Sequence, residues 1–249
     1  MQIRLIRSAT LIVEVAGTRL LVDPWLAGKG EGRSYSGRGP SPLVDLPMSI
    51  EEVLRGIDAV LVSHLHSDHF DDAAQTLLGK TTPILCHARD RDAIVAMGFG
   101  DVRAIAEGIP FGAAGIRTAD GRHGPPGVLD DMGEVSGFLV SAPGEPTLYW
   151  AGDTILCAEV EAVLNRERPD VVVVHGCGAL WHGKGPLVMD AQMVLQTARI
   201  AGGAPVVVTH LDAVDHATVS RADLRRLVAA GATGADRLII PEDGEILTF

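Results

Sequence analysis

The feature that most constrains this chain is a histidine-rich run directly after four apolar residues, namely Ser63-His64-Leu65-His66-Ser67-Asp68-His69. The preceding residues, 59–62, are all apolar and predict a buried strand. Side chains at positions i and i+2 of an extended segment point the same way, so His64 and His66 can face one cation. Asp68 and His69 follow where the chain should turn, and they can serve a second cation nearby. Because imidazole and carboxylate groups are usual ligands of divalent transition metals, the run predicts a metal site at a strand end.

Three later residues offer the same kinds of ligand atom. His123 lies in a glycine-rich loop, Asp153 lies in Gly152-Asp153-Thr154, and His210 follows the apolar run 206–208. Asp153 and His210 each come just past a strand-like run, where a rigid backbone fixes the direction of the side chain. We therefore expect them to converge at one edge of the fold with the histidine-rich run.

The pattern His-x-His-x-Asp-His after a buried strand, followed by His, Asp and His, resembles the metallo-β-lactamase superfamily of metal-dependent hydrolases. The resemblance extends over essentially the whole chain, and Gly152-Asp153-Thr154 is the most specific of the later matches. It implies two metal ions with the following ligands: His64, His66 and His123 on one ion, Asp68, His69 and His210 on the other, and Asp153 bridging both. Zinc or manganese would suit these ligands, and iron is compatible with the same set.

The order of the predicted elements indicates the fold class. Strands come first in each half of the chain and strand–helix units follow, which favours two mixed sheets packed face to face with helices outside. The superfamily's α+β fold, a four-layer αββα sandwich, has this arrangement, and 47% hydrophobic residues suffice for its core. We expect one domain over residues 1–249. Two hairpins are predicted, one near each end: Leu11–Val15 with Arg19–Val22, and Leu238–Ile240 with Glu245–Thr248.

Four further residues are candidates for supporting the ligands or contacting the substrate: Asp23, His175, Trp181 and His182. Metal-bound imidazoles usually donate their second N–H to a carboxylate or carbonyl group, and Asp23 at an early strand end suits that role. The alternative for Asp23 is a turn residue before a proline. His175 ends another apolar run, which makes it a residue of the pocket or a neighbour of the ligands.

Two loops are expected to shape the entrance to the site, Leu26–Pro47 and Gly178–Gly185. A loop as long as the first is usually functional or disordered in a compact domain. Trp181 and His182 in the second loop either contact the substrate or remain solvated. His216, which follows His210 closely, is expected to cap a helix.

Charge, hydropathy and cysteine content limit the partners. The formal net charge of −11 argues against a nucleic-acid partner, because phosphate neutralisation needs a basic face. Two divalent ions in a pocket would nevertheless admit a small anionic substrate. No stretch approaches the roughly 20 apolar residues that span a bilayer, so no membrane partner is expected. The three cysteines form no CxxC motif, which favours reduced thiols and a cytoplasmic location.

Hydrolysis is the first functional hypothesis. Two divalent ions that share a water lower its pKa, and the resulting bridging hydroxide can attack an acyl or phosphoryl centre. Asp68 is expected to orient the hydroxide or to pass a proton to the leaving group. The early Asp23-Pro24-Trp25 and the compact length resemble the branch containing L-ascorbate-6-phosphate lactonase, which implies a lactone or other small-molecule ester. Phosphodiester cleavage, di-iron redox chemistry and non-catalytic metal binding are the alternatives.

Overall fold

Two seven-stranded sheets pack face to face in the computed structural model, which describes residues 1–106 and 108–249. The strands are, in chain order, β1 (Gln2–Arg7), β2 (Thr10–Val15), β3 (Thr18–Val22), β4 (Ala59–Val62), β5 (Ile84–His87), β6 (Val102–Ile105), β7 (Ile109–Phe111), β8 (Ala114–Asp120), β9 (Ser136–Ser141), β10 (Leu148–Trp150), β11 (Val171–His175), β12 (Val206–Thr209), β13 (Leu238–Ile239) and β14 (Ile246–Thr248). The first sheet has the order β14-β1-β2-β3-β4-β5-β6, and the second has the order β13-β12-β11-β10-β9-β8-β7.

Helices cover the outer face of each sheet. They are α1 (Ile50–Leu54), α2 (Asp72–Leu77), α3 (Arg91–Ala96), α4 (Leu129–Met132), α5 (Ala158–Glu167), α6 (Ala191–Ile200) and α7 (Arg221–Ala229). Apolar residues of α1, α2 and α3 pack on the first sheet, and those of α5, α6 and α7 pack on the second. Between the sheets lies a third cluster that includes Leu61, Phe138 and Trp150. The predicted αββα sandwich is therefore confirmed, and the shared inner cluster supports our proposal of one domain over residues 1–249.

Strand direction brings the polar strand ends together. Strands β3 to β6 run parallel to one another, and so do β10 to β13. The carboxyl ends of parallel strands lie at the same edge of a sheet, which is where open α/β sheets usually bind ligands. The histidine-rich run follows β4 at this edge of the first sheet, and Asp153 and His210 follow β10 and β12 in the second.

Side-chain caps fix where several helices begin. Asp71 accepts a hydrogen bond from the backbone N–H of Ala74 and so caps α2, which begins at Asp72. A capping box opens α7, because Ser220 and Asp223 exchange side-chain and backbone hydrogen bonds.

The predicted closing hairpin is wrong. Strand β13 pairs with β12 in the second sheet, whereas β14 pairs with β1 in the first, so the turn at 242–244 carries the chain from one sheet to the other. Turn residues identify a change of direction but not the partner of each strand. Helix α5 and strands β6 and β7 were not predicted, although Val160, Val163 and Leu164 of α5 have helical spacing and are buried.

A buried arginine fixes the long loop that follows β3. Arg7 is fully buried, and its guanidinium group donates hydrogen bonds to the carbonyl oxygens of Trp25, Ala27 and Val44. The same group lies 5.0 Å from the ring centroid of Trp25. Among the described helices, none is long and apolar enough to cross a membrane.

We predict that Arg7→Met destabilises the fold by about 2–4 kcal/mol, because three carbonyl oxygens lose their donor in a buried setting. Urea unfolding in one fixed metal state measures the change. Arg55→Met, on an exposed side chain just after α1, is the matched control and should cost less than about 0.5 kcal/mol. Equal losses in the two variants would contradict this account of the loop.

Candidate metal centre

The seven predicted ligands meet around the carboxylate of Asp153. Its Oδ2 atom lies 3.2 Å from Nε2 of His69, 3.2 Å from Nε2 of His123 and 3.9 Å from Nε2 of His64. Its Oδ1 atom lies 3.8 Å from Nε2 of His210. The two sheets thus contribute facing halves of one cluster, with Asp153 between them.

The remaining predicted ligands lie next to these residues. The ring centroid of His66 is 4.4 Å from that of His64 and 5.1 Å from that of His123. The Oδ2 atom of Asp68 lies 3.5 Å from Nε2 of His210. Every residue that the sequence predicted as a ligand is therefore within the cluster. Their roles as ligands are a proposal.

Among the described residues, three groups of side-chain atoms are compact enough to surround a cation, with all atoms of each group within 4.8 Å of one another; two of them share Asp153, and the third joins Asp23 to His64 and His69. The first group has the composition that the sequence predicted for one ion: His64, His66, His123 and Asp153. The second contains His69, Asp153, His175 and His210. It includes His175, whereas the sequence assigned Asp68 to this ion. Asp153 is common to these two groups, as a bridging ligand would be.

His175 already has a strong partner in the structure. Its Nδ1 atom lies 2.6 Å from Oδ1 of Asp153, within hydrogen-bond distance. Its ring is fully buried and packs edge-on against Trp150 at 5.0 Å. We propose that His175 orients the Asp153 carboxylate, which agrees with its prediction as a neighbour of the ligands.

The candidate ligand imidazoles that reach the cluster through Nε2 have outer partners on Nδ1. His69 bonds to Asp23 at 2.7 Å, His64 to Ser63 at 2.8 Å and His123 to the Leu187 carbonyl at 3.1 Å. Such partners fix the tautomer and the direction of metal-binding imidazoles. Asp23 also accepts hydrogen bonds from the backbone and hydroxyl of Ser63, so one buried carboxylate supports two rings. Asp23 therefore has the contacts that its predicted supporting role requires.

His210 differs from the other three because its Nδ1 atom faces a thiol. The Sγ atom of Cys177 lies 3.6 Å away, and both residues are buried. The backbone N–H of His210 donates to the Ser8 carbonyl of the first sheet's edge at 2.9 Å. Ser8, Asp23 and His210 all have positive φ angles, of 57°, 43° and 61°. Non-glycine residues are uncommon in this conformation, and such strain concentrates at functional sites.

The electrostatics of the cluster favour a cation. Burial lowers the pKa of His64 well below its ordinary value and that of His123 to about 4, so both rings are neutral near pH 7 and can offer a lone pair. Burial also acts to lower the pKa of His69, but the carboxylates of Asp153 and Asp23 raise it to about 10. The two carboxylates thus stabilise positive charge next to His69, and a divalent ion would supply that charge.

Unsatisfied ring nitrogens provide a direct test of whether the residues fit metal ions. The buried Nε2 atoms of His64, His69 and His210 lie near carboxylate oxygens, but they make no hydrogen bond of good geometry among the described residues. A buried polar atom without a partner costs free energy. A bound cation would remove this cost, because it would give each of these ring nitrogens a partner. Imidazole nitrogens around a buried carboxylate form a donor set suited to zinc, manganese or iron, and a bound cation would replace the protons that the carboxylates favour on His69 and His210. The residues therefore fit the two metal ions that the sequence predicted.

The cluster forms the floor of a pocket of about 380 Å³. Its walls combine apolar residues with a few polar ones: Arg33, Tyr35, Leu65, Ser67, Asp131, Met132, Ala179, Trp181, Leu187, Val188 and His216. Trp181 is half-buried and lines this pocket, as predicted for a substrate contact. His182 is exposed and lines a neighbouring cavity instead.

Three residues of the pocket region were missed or misread in the sequence. Tyr35 lines the pocket but lies in the loop Leu26–Pro47, where no periodicity singles it out. His216 is not a helix cap, because α7 is capped by Ser220, and it too lines the pocket. Asp215 accepts several hydrogen bonds from the segment 34–38 of the loop. Only its position next to His216 and shortly after His210 could have drawn attention to it.

Comparison with known proteins places this arrangement in a family. A family profile described as the beta-lactamase superfamily domain matches residues 18–211. The chain belongs to the beta-lactamase superfamily. The superfamily resemblance is thus confirmed, whereas the resemblance to the ascorbate-6-phosphate lactonase branch stays a prediction.

Several superfamily members are similar to this chain along its length. The UPF0173 protein YddR of Bacillus subtilis (strain 168) is 34% identical over 255 residues, which cover 100% of both proteins. The crystal structure of a possible metal-dependent hydrolase from Veillonella parvula DSM 2008 has 31% identity and a TM-score of 0.96, covering 100% of this chain and 99% of that one. The structure of an isothiocyanate hydrolase from Delia radicum gut bacteria has 32% identity and a TM-score of 0.93, with the same coverage.

We predict that Asp153→Ala lowers the bound metal from about two ions per chain to one or none, because both groups of ligands lose the carboxylate they share. Mass spectrometry of metals in freshly purified protein measures the ratio. Asp120→Ala, at the exposed end of β8, is the matched control and should leave the ratio unchanged. A ratio that stays near two in Asp153→Ala would remove this residue from the bridging role.

Proposed function

We propose that this protein is a dinuclear metal-dependent hydrolase of small molecules. One observation carries the proposal: buried imidazole nitrogens without partners converge on Asp153 at the floor of a pocket. Relatives described as metal-dependent hydrolases support the same class. One of them, from Xanthobacter autotrophicus, is 25% identical over 177 residues, covering 67% of each protein. The proposed ions are zinc or manganese, with iron compatible.

Different residues of the pocket would have different roles in such a reaction. When bound, two divalent ions would acidify a water to a nucleophile near neutral pH and polarise the substrate. Asp153 would hold both ions, and His175 and Asp23 would keep the ligands in position. The pKa of Asp68 is held below its ordinary value because His210 and His69 outweigh the effect of burial, so this carboxylate is an acceptor. Asp68 can therefore accept a hydrogen bond from the attacking water and orient it, and in its predicted role it would also pass a proton to the leaving group.

A lactone or another small-molecule ester is the first substrate class. The pocket volume of about 380 Å³ suits a small molecule. Apolar side chains such as Leu65, Met132 and Trp181 can pack against the acyl part while Asp68 orients a water toward the carbonyl carbon. Water attacks that carbon, the C–O bond to the leaving group breaks, and a carboxylic acid and an alcohol result.

An isothiocyanate is the second candidate, favoured by the full-length similarity to the isothiocyanate hydrolase and by the apolar walls. The central carbon of R–N=C=S is electrophilic, and an apolar substituent R on the nitrogen would suit the apolar walls. Addition of water gives a thiocarbamic acid, R–NH–C(=S)–OH, so the same pocket groups can serve this reaction.

Other functions receive less support from the pocket. Arg33 is the one lysine or arginine among the described residues that line it, which gives little positive charge for a phosphodiester or another anionic substrate. All three cysteines are buried free thiols, in agreement with the proposed cytoplasmic location. Non-catalytic metal binding is the remaining alternative.

We predict metal-dependent hydrolysis in a panel of lactones, carboxylic esters, isothiocyanates and phosphodiesters. Activity on one of the first three classes should disappear with a chelator and return with zinc or manganese. Asp68→Asn should lower kcat by roughly 100-fold or more, because the amide cannot replace the carboxylate that orients the water and passes a proton to the leaving group. Asp130→Asn is the control and should leave kcat unchanged, because Asp130 is exposed and precedes Asp131 of the pocket wall. Protein loaded with two metals that hydrolyses nothing in the panel would favour a metal-binding function instead.

A further inference from the structure

One carboxylate outside the metal cluster holds part of the long loop against the site. Asp215 accepts hydrogen bonds from the hydroxyl groups of Ser34 and Ser36, at 2.7 and 2.8 Å. It also accepts from the backbone N–H groups of Tyr35 and Ser36, at 2.9 and 3.0 Å. Asp215 lies five positions after His210, so the segment that carries a proposed ligand also anchors this loop. The loop around Tyr35 is thereby positioned relative to the metal cluster.

This anchoring places the Tyr35 side chain in the pocket wall. The ring of Tyr35 packs against that of His216, with centroids 4.9 Å apart. Its hydroxyl lies 2.7 Å from the hydroxyl of Ser67, the residue immediately before Asp68. Tyr35, Asp68 and His210 line the same pocket. The Tyr35 hydroxyl therefore lies beside the proposed reaction centre. Asp215 holds the backbone of Tyr35, and His216 packs against its ring.

The hydroxyl pair leaves one hydrogen for a substrate. Tyr35 and Ser67 have one O–H hydrogen each, and the bond between them uses only one of the two. If Ser67 donates to the phenol oxygen, the phenol hydrogen can point into the pocket, where the Asp68 carboxylate and a bound substrate would compete for it. A tyrosine is protonated near neutral pH, so it is a donor in all conditions under which a hydrolase of this kind works.

We propose that Tyr35 is a catalytic residue that donates a hydrogen bond to the substrate atom on which negative charge develops. As water adds to the electrophilic carbon, the π electrons of its double bond move to the carbonyl oxygen, or to the nitrogen of an isothiocyanate. The Tyr35 hydroxyl stabilises this charge without transferring its proton. Asp215 is the positioning residue that holds Tyr35 in place. This inference rests on the proposed function for its substrate.

The chain offers a matched control for removal of the phenol hydroxyl, because it has two tyrosines. Tyr149 lies on β10, is fully buried, and has a hydroxyl without a hydrogen-bond partner among the described residues. Tyr149→Phe removes the same atom as Tyr35→Phe but away from the pocket. Loss of a buried unpaired hydroxyl should be neutral or slightly stabilising.

Two measurements on the metal-loaded protein test the proposal. The first is kcat and KM for a substrate from the panel, where Tyr35→Phe should lower kcat roughly 100-fold, the lower end for loss of one oxyanion donor. The second is the dissociation constant of phenylacetate, an apolar carboxylate that mimics a charged product and needs no catalysis. Tyr35→Phe should raise that constant roughly tenfold, because a hydrogen bond to a charged group is lost. Metal content should not change, and Tyr149→Phe should match the wild type in both measurements.

A double-mutant cycle tests the role of Asp215. If Asp215 acts through Tyr35, Asp215→Asn should weaken phenylacetate binding in the wild-type background and have little further effect in Tyr35→Phe. A general loss of structure would instead add its full effect in both backgrounds.

The outcomes separate this inference from the proposed function. If the protein binds phenylacetate in a Tyr35-dependent way but hydrolyses no substrate, the proposed function is overturned. Tyr35 would then remain a hydrogen-bond donor to anions in the pocket. Unchanged kcat and unchanged phenylacetate binding in Tyr35→Phe would overturn the inference while the hydrolase stands. Equal effects of Tyr149→Phe would overturn it too, because the changes would then not arise in the pocket.

Discussion

The site depends on one buried carboxylate that faces imidazoles from both sheets. Burial opposes the ionisation of Asp153, yet the rings of His69, His123 and His210 keep its pKa well below the ordinary value. These rings come from the turn after β4, the loop after β8 and the end of β12. A carboxylate in this position is stable only if positive charge is supplied around it, by protons or by metal ions. Metal binding and the docking of the two sheets are therefore coupled.

The long loop after β3 shows how the sandwich is adapted into a pocket. Arg7 ties the loop to the end of β1, Asp71 accepts from the backbone N–H groups of Leu26 and Ala27, and Asp215 ties segment 34–38 to the second sheet. All three attachments lie at the carboxyl edge of the sheets. A loop with many glycines and prolines can be ordered in this way without secondary structure, because buried charged groups pair its backbone atoms. The pocket wall is thus built by polar contacts, while the sandwich below it is built by apolar packing.

The convergence of the candidate ligands was partly predictable from the sequence because four of the seven lie in one short run. His64, His66 and His69 are close in the chain and follow a recognisable strand, and Asp153 lies in a distinctive Gly-Asp-Thr context. His123 depended only on its order along the chain, and the structure brings it to 3.2 Å from Asp153. The layers of the fold were predictable too, because the alternation of strands and helices indicates them.

What the sequence did not predict involves pairs that are far apart in the chain. The contacts between Asp215 and residues 34–36 join segments separated by about 180 positions, and no periodicity or turn signal connects them. Tyr35 therefore looked like any polar loop residue. The closing hairpin failed for a related reason, because a turn signal does not state whether the next strand joins the same sheet. Helix α5 was different, since the spacing of its buried residues was visible in the sequence.

Anomalous diffraction from crystals of protein loaded with zinc or manganese tests the central claim most directly. We predict two peaks roughly 3.5–4 Å apart, the separation typical of two-metal sites. The Asp153 carboxylate should lie between them, with the histidines of the two groups on either side. A single peak, or two peaks that Asp153 does not connect, would contradict a dinuclear centre built around this residue.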